Sequence, residues 1–407
     1  MTSSETETAR GLLSAAAVRH RAHQMLAIGR AGGLEHWRVD MDRLPETAAF
    51  VAQIVREQYP DLKVPFHARW RHFVSGRRDL WAELVKVGPW DYPWQQARAA
   101  FNLVILSVLL DAGAGPGWKY LDEISGIVSA RSEGLAIASF RMFASGAFSS
   151  KGWALHVDQP GLSSISAADL ARGFQVSDEN PLVGLEGRAA LLRRLGDQIA
   201  ARPDLFGSDD DASPGGLYDQ LAARADGGRL PAPAILALLL EALGPIWQGR
   251  PTLGGLPLGD CWPHPAMPGD GFVPLHKLSQ WLSYSLVEPL QAAGIEVYDL
   301  DGLTGLAEYR NGGLFMDKGV LTLADPADAA KTWPVESPLV LGWRSMTVAL
   351  LDEIAPLVRK ELGVDAAAMP LASVLEGGTW AAGRRAAAAL REGGGPPLAI
   401  LSDGTVF

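Results

Sequence analysis

A single cysteine in 407 residues, Cys261, leaves the chain without an intrachain disulfide and without the cysteine sets that build zinc sites. No apolar run reaches the roughly 20 residues that span a bilayer, and the start, MTSSETETAR, lacks the apolar stretch of a secretory signal. HExxH, GxxxxGKS/T and GxSxG are all missing, which removes the zincin, P-loop and serine-hydrolase readings. A cationic surplus is missing too. The net charge of -10 and a pI near 5.3 argue against a nucleic-acid or anionic-membrane surface, but a local cationic pocket can still exist on such a protein. The expectation is a cytoplasmic protein with no nucleic-acid or membrane partner, no metal and no cofactor, for which a small polar or nucleotide-like ligand remains possible.

What is present is apolar and periodic. At 48% hydrophobic and 20% charged residues the chain can bury a large core. Ser14 is placed to cap AAAVRHRAHQMLAIGRAGG, and LPETAAFVAQIVREQY, WQQARAAFNLVILSVLLDAG, SEGLAIASFRMFASG, EGRAALLRRLGDQIAAR, PAPAILALLLEALG, LHKLSQWLSYSLVEPLQAAG and PLVLGWRSMTVALLDEIAPLVRKEL repeat its three- and four-residue apolar spacing. The fold class is therefore mainly α with a few short strands. GLFMDKGVLTL reads as a hairpin turning at Asp317-Lys318-Gly319, and PLAILSDGTVF as a terminal strand and turn. Residues 1–13 read as a disordered tail. Residues 14–407 read as one helical catalytic unit with a flexible loop, FGSDDDASPGG, near 206–216. The apolar face of PAPAILALLLEALGPIW suits either core or a homodimer interface.

Two motifs invite chemistry that their surroundings do not support. VILSVLLDAGAGPG resembles the glycine-rich loop of an S-adenosylmethionine methyltransferase, but the apolar run continues a helix from WQQARAAFN, and the glycines lead into WKYLDEISG rather than a ligand-receiving helix. On the simpler reading Gly113 and Gly115 only end that helix. The pairs His20/His23 and His67/His72 sit among arginines that would repel a metal. His264 in GDCWPH, with Asp260 and Cys261, is the best ligand cluster; a turn in which Asp260 bonds the backbone is the alternative.

The remaining polar clusters are ARSEG, GDCWPH, PLHKLSQW and AEYRNGG. With LEHWRVDMDRL, YPDLKVPFHARWRHF, EGGTWAAGRRAAAAL and SDGTVF they resemble, from about Ser14 to Phe407, the uracil-catabolism protein 4 family. That resemblance implies a pyrimidine-degradation route in which uracil becomes a nucleotide, a ribosylated urea appears and urea is released. PLHKLSQWLSYSL followed by LTGLAEYRNGG is more distantly similar to the queuosine-salvage family, which cleaves an N-glycosidic bond. This second likeness implies an all-helical, DNA-glycosylase-like fold. It differs at Glu308, where that family has an aspartate.

The implied reaction is hydrolysis of the C1'–N bond of ribosylurea or its 5'-phosphate. A carboxylate facing C1' would stabilise an oxocarbenium-like transition state or activate water, and Glu308 is the catalytic candidate. Tyr309 and Asn311 would hold sugar hydroxyls or the leaving urea, with Arg310 beside them and Gly312 and Gly313 closing the backbone on the ligand. A solvated Glu308–Arg310 pair is the plain alternative. His276 and Lys277 open a helix whose N-terminus suits a phosphate. Arg131 is the other phosphate candidate, with Ser132 capping the next helix and Glu133 in its first turn. Asp111 suits a ribose hydroxyl or a local backbone bond, and Trp262, Trp281 and Trp380 suit a pocket wall. Two rivals stand beside this reading: a metal-independent amidohydrolase acting on a uracil-derived intermediate, and a non-enzymatic pyrimidine-nucleotide sensor or scaffold.

Overall fold

A computed structural model describes residues 3–208 and 212–401. Asp209 to Asp211 of the polar loop, the first two residues and the closing SDGTVF lie outside the described residues. The fold is mainly α, and its strands are short and paired two by two among the described residues. The sequence draws no boundary after residue 14, but the backbone contacts divide the chain. One compact unit comprises Met1–His67, Gly249–Gln280 and Asp299–Leu401, and the other contains Ala68–Gln248 and Trp281–Tyr298.

The first unit is built on helix Pro338–Leu362. Ser337 starts it by accepting a hydrogen bond from the Val340 N–H, and Gly363 ends it at φ 74, a conformation glycine enters without a Cβ penalty. Its residues from Leu339 to Leu351 are buried without a break, as expected of a helix apolar all round. Helices Ala15–Arg30 and Leu44–Gln58 pack against it. Ser14 caps the first of these through the Ala17 N–H at 3.1 Å, and Val18, Ala22, Met25, Leu26 and Gly29 form its buried stripe.

Two local expectations change here. Ser3–Leu12 is helical rather than a frayed tail: Ala9 and Leu12 join Leu258 and Cys261 in a small apolar cluster, and the Thr6 hydroxyl donates to the Gly254 carbonyl. Those partners are more than 240 positions away, so the polar sequence of the segment gives no sign of them. GLFMDKGVLTL is not a hairpin. Its first half ends helix Tyr309–Asp317, Gly319 at φ 75 turns the chain, and Leu321–Leu323 pairs antiparallel with Trp37–Val39. The terminal strand does form, over Ala399–Leu401, parallel to Thr332–Pro334.

In the second unit, helix Pro93–Leu109 is buried continuously from Ala99 onward. The loop that follows it wraps a side chain. Arg188 is fully buried and donates to the carbonyls of Leu110, Ala112, Gly113 and Val183. Burial pushes its pKa down to about 10. The glycine-rich stretch thus gives its backbone to a guanidinium, and Lys119–Asp122 beyond it forms a hairpin with Ile127–Ala130. PAPAILALLLEALG becomes helix Ala232–Leu243, whose Ile235, Leu236, Leu238 and Leu239 are core. That uses the face which could have served a dimer. No helix among the described residues is long and apolar enough to cross a membrane.

Candidate active site

AEYRNGG starts a helix. Glu308, in extended backbone geometry, is the N-cap of Tyr309–Asp317: Oε2 accepts from Arg310 N at 2.8 Å and Oε1 from Asn311 N at 2.6 Å. These bonds satisfy two of the helix's orphan N–H groups and fix the carboxylate at the positive end of the helix. A carboxylate offers about four acceptor sites, so the cap leaves it capacity to meet a ligand. Arg310 lies over the Tyr309 ring at 5.0 Å and the Trp380 ring at 5.6 Å, and Arg384 takes the same tryptophan at 4.8 Å. Asn311 is wholly buried, and neither its Oδ1 nor its Nδ2 meets a hydrogen-bonding partner among the described residues.

The two glycines serve packing. A Cβ on Gly312 would sit 2.7 Å from Trp343 Nε1, and one on Gly313 3.2 Å from Pro397 Cδ, so the helix approaches its own scaffold rather than a ligand. A Cβ on Gly383, in the facing helix Ala381–Leu390, would land on the Arg310 carbonyl oxygen.

A buried ion pair sets the approach to this helix. Arg344 grips Asp260 with both guanidinium nitrogens, at 2.9 and 2.7 Å, and its Nε donates to the Ala307 carbonyl at 3.2 Å, one residue before Glu308. Burial opposes the charge on Asp260, but Arg344 overcomes this and holds the carboxyl well below the usual range. Asp260 also accepts from Trp262 Nε1 and from Lys277 N at 3.2 Å. The helix start expected to receive a phosphate therefore already carries the protein's own carboxylate. His276 is buried at φ 45, bonds the Leu12 carbonyl through Nε2, and has its pKa lowered by burial. His264 accepts from Ala266 N at Nδ1, contacts the Pro338 carbonyl at Nε2, and is likewise lowered by burial. Both ring nitrogens of His264 are thus engaged by backbone, and with Asp260 committed to Arg344 the GDCWPH donors form no ligand set; among the described residues no three His, Cys, Asp or Glu side chains converge on a metal position.

Beside Trp380 lies a second pair. His67 Nδ1 is 2.6 Å from Glu376 Oε2, and the imidazole centroid is 5.6 Å from that of Trp380. Glu376 and Trp380 belong to Val374–Trp380, a π-helical segment. Such segments are rare and recur at functional sites.

In the second unit, Asp111 accepts from Arg69 Nη1 at 2.8 Å and from the Ser132 hydroxyl at 2.7 Å. Arg69 is 0% exposed and also donates to Ser107 and Ser132, under the Trp281 ring at 5.6 Å. Burial lowers the Arg69 pKa against the pull of Asp111. Helix Arg131–Ala144 has Ala130 as its N-cap, so Ser132 does not cap it; the hydroxyl turns to Asp111 instead. Arg131 is held at φ 54, with Glu133 in the first helical turn.

With this geometry in view, comparison with known proteins gives one consistent answer. The family described as Protein of unknown function (DUF1688) matches residues 11–407. The chain belongs to this family. The DUF1688 chain is 37% identical over 415 residues to Protein urg3 of Schizosaccharomyces pombe, covering 99% of this chain and all of that protein. It is 36% identical over 419 residues to Uracil catabolism protein 4 of Lachancea kluyveri, covering 91% and 92%.

Within this DUF1688 member, the structure brings Glu308, Tyr309, Arg310 and Asn311 to one helix start and gives Asp111, His264, His276 and Lys277 to internal bonds. Arg344, Glu376, Arg384 and Arg69 were missed by sequence reading. For Glu376 and Arg384 a signal existed in EGGTWAAGRR, where charge flanks a tryptophan and paired glycines. Arg344 stands in an apolar helix where one arginine looks like a stray surface charge.

Proposed function

We propose that this protein hydrolyses the N-glycosidic bond of ribosylurea or ribosylurea 5'-phosphate, releasing urea. The observation that carries the reading is the start of helix Tyr309–Asp317. A glutamate fixed by two backbone N–H groups stands three residues from a buried asparagine whose amide has both a donor and an acceptor unused. Urea presents the matching acceptor and donors, so Asn311 is suited to hold it while Glu308 faces C1'. A pyrimidine-catabolic setting is supported by the name of the Lachancea kluyveri relative.

In the reaction, the C1'–N electron pair withdraws onto urea, positive charge grows at C1' and the Glu308 carboxylate stabilises it or takes a proton from the attacking water. Glu308 reaches that position with its orientation already paid for by the cap, so little is reorganised as charge develops.

The test is to follow urea and reducing sugar from each of the two compounds. Glu308→Gln keeps an acceptor for the cap and removes the charge. Its turnover should fall at least about 100-fold while ligand binding is retained. Ammonia release with C1'–N intact would support an amidohydrolase instead. Binding of a pyrimidine nucleotide with no consumption would support a sensor.

A further inference from the structure

The His67–Glu376 pair has no part in the reaction as written so far, yet it is joined to the Glu308 helix by a short row of side chains. Glu308 is followed by Tyr309 and Arg310; Arg310 lies over the Trp380 ring, and His67 lies against the same ring. The pair is buried, with side-chain exposures of 6% and 12%. A buried imidazole–carboxylate contact of 2.6 Å needs a reason beyond surface solubility. One π-helical segment carries both Glu376 and, four positions on, Trp380, with Gly377 packed on Tyr59 and Val64.

We propose that His67, oriented by Glu376, is the acid that protonates the departing urea. This rests on the hydrolase reading above. Urea leaving as an anion is a poor leaving group, so C1'–N cleavage needs a proton at the moment the bond breaks. The contact of Nδ1 with Glu376 fixes the ring, and the proton is given from Nε2 of the cationic form. The bond electrons go to the urea nitrogen, which takes that proton. Water adds to C1' and loses its proton to Glu308, and transfer of this proton to solvent and reprotonation of His67 close the cycle with ribose and urea as products. The charged and titratable groups around the ring are Glu376, then Arg310 and Arg384 on the Trp380 face. Tyr59 and the exposed Glu57–Arg385 pair stand where helix Leu44–Gln58 meets the same region.

The measurement uses the full-length protein with ribosylurea and with p-nitrophenyl riboside, whose leaving group departs without a proton. His67→Gln should lower kcat on ribosylurea about 100-fold or more and abolish the alkaline limb of its pH–rate profile, while changing p-nitrophenyl riboside cleavage by less than about 5-fold. Glu376→Gln, which loosens the ring, should lower kcat on ribosylurea and spare p-nitrophenyl riboside in the same way. Equal losses on both substrates, or an alkaline limb unchanged in His67→Gln, would overturn the proposal. If wild-type protein cleaves ribosylurea but not the nitrophenyl compound, the two pH profiles alone decide. Failure of the wild type on both ribosylurea and its 5'-phosphate would sink the hydrolase reading itself, a distinct result.

Discussion

Each unit contains a buried guanidinium–carboxylate pair, and the two are built for different purposes. Arg69–Asp111 is enclosed by hydroxyls: Ser107 and Ser132 receive the remaining guanidinium protons, and the Arg69 backbone N–H goes to Ser285. The carbonyls of the same two serines and His72 complete the enclosure, so this guanidinium is held in place from every side. In Arg344–Asp260 both members of the pair bond main chain, Arg344 on the Ala307 carbonyl and Asp260 on the Lys277 N–H. The Arg344 tie ends one residue before Glu308, so this pair fixes the position of the helix start.

Removing each arginine should separate these roles. Arg69→Met leaves Asp111 buried without its cation and should cost about 3–5 kcal/mol in urea denaturation. Arg344→Met should cost less, about 2–3 kcal/mol, because Trp262 and the Lys277 N–H still serve Asp260, but it should reduce kcat in the folded fraction where the second-unit variant does not. Equal stability losses with equal kcat would erase the distinction. Gly383→Ala, which presses a methyl onto the Arg310 carbonyl, should destabilise by about 1–3 kcal/mol and displace Arg310 from Trp380, visible as a change in tryptophan fluorescence.

Acid sharpens the same comparison. The folded-state pKa of Asp260 lies below its unfolded value, so its contribution is present above the unfolded pKa of about 3.9 and is lost as pH falls through the folded one. Wild-type stability should decline below about pH 4, and Arg344→Met should flatten that decline. The smallest effect is expected far from either pair: Ser14→Ala should cost about 1 kcal/mol through the lost cap, with turnover unchanged.

Local rules made much of this molecule readable in advance. Ser14 as a cap, the apolar stripe from Val18 to Gly29 and the buried helix after Ser337 all follow from spacing within one or two turns. AEYRNGG was readable as a polar cluster, and the structure makes its Glu308 a helix cap. What failed depended on distant partners. Gly113 sits where it does because Arg188 lies 75 positions later, and Gly312 because Trp343 does. Lys277 opens a helix as its sequence suggests, but Asp260, seventeen residues upstream, fills the anion position first. The Arg344 carboxylate partner is 84 residues away, beyond any periodicity.

The π-helical turn at Val374–Trp380 also makes the arrangement depend on residue number. A π turn is in effect an α-helix with one residue too many, and deleting that residue would rotate everything after it by about 100°. Trp380 would swing off Arg310 and the whole helix Ala381–Leu390 would present another side, although no chemically active residue had been lost. The count of residues between Pro370 and Trp380 therefore matters to this arrangement independently of their identity. Removing one residue there is expected to abolish the Arg310–Trp380 contact while every charged side chain of the site remains in the chain.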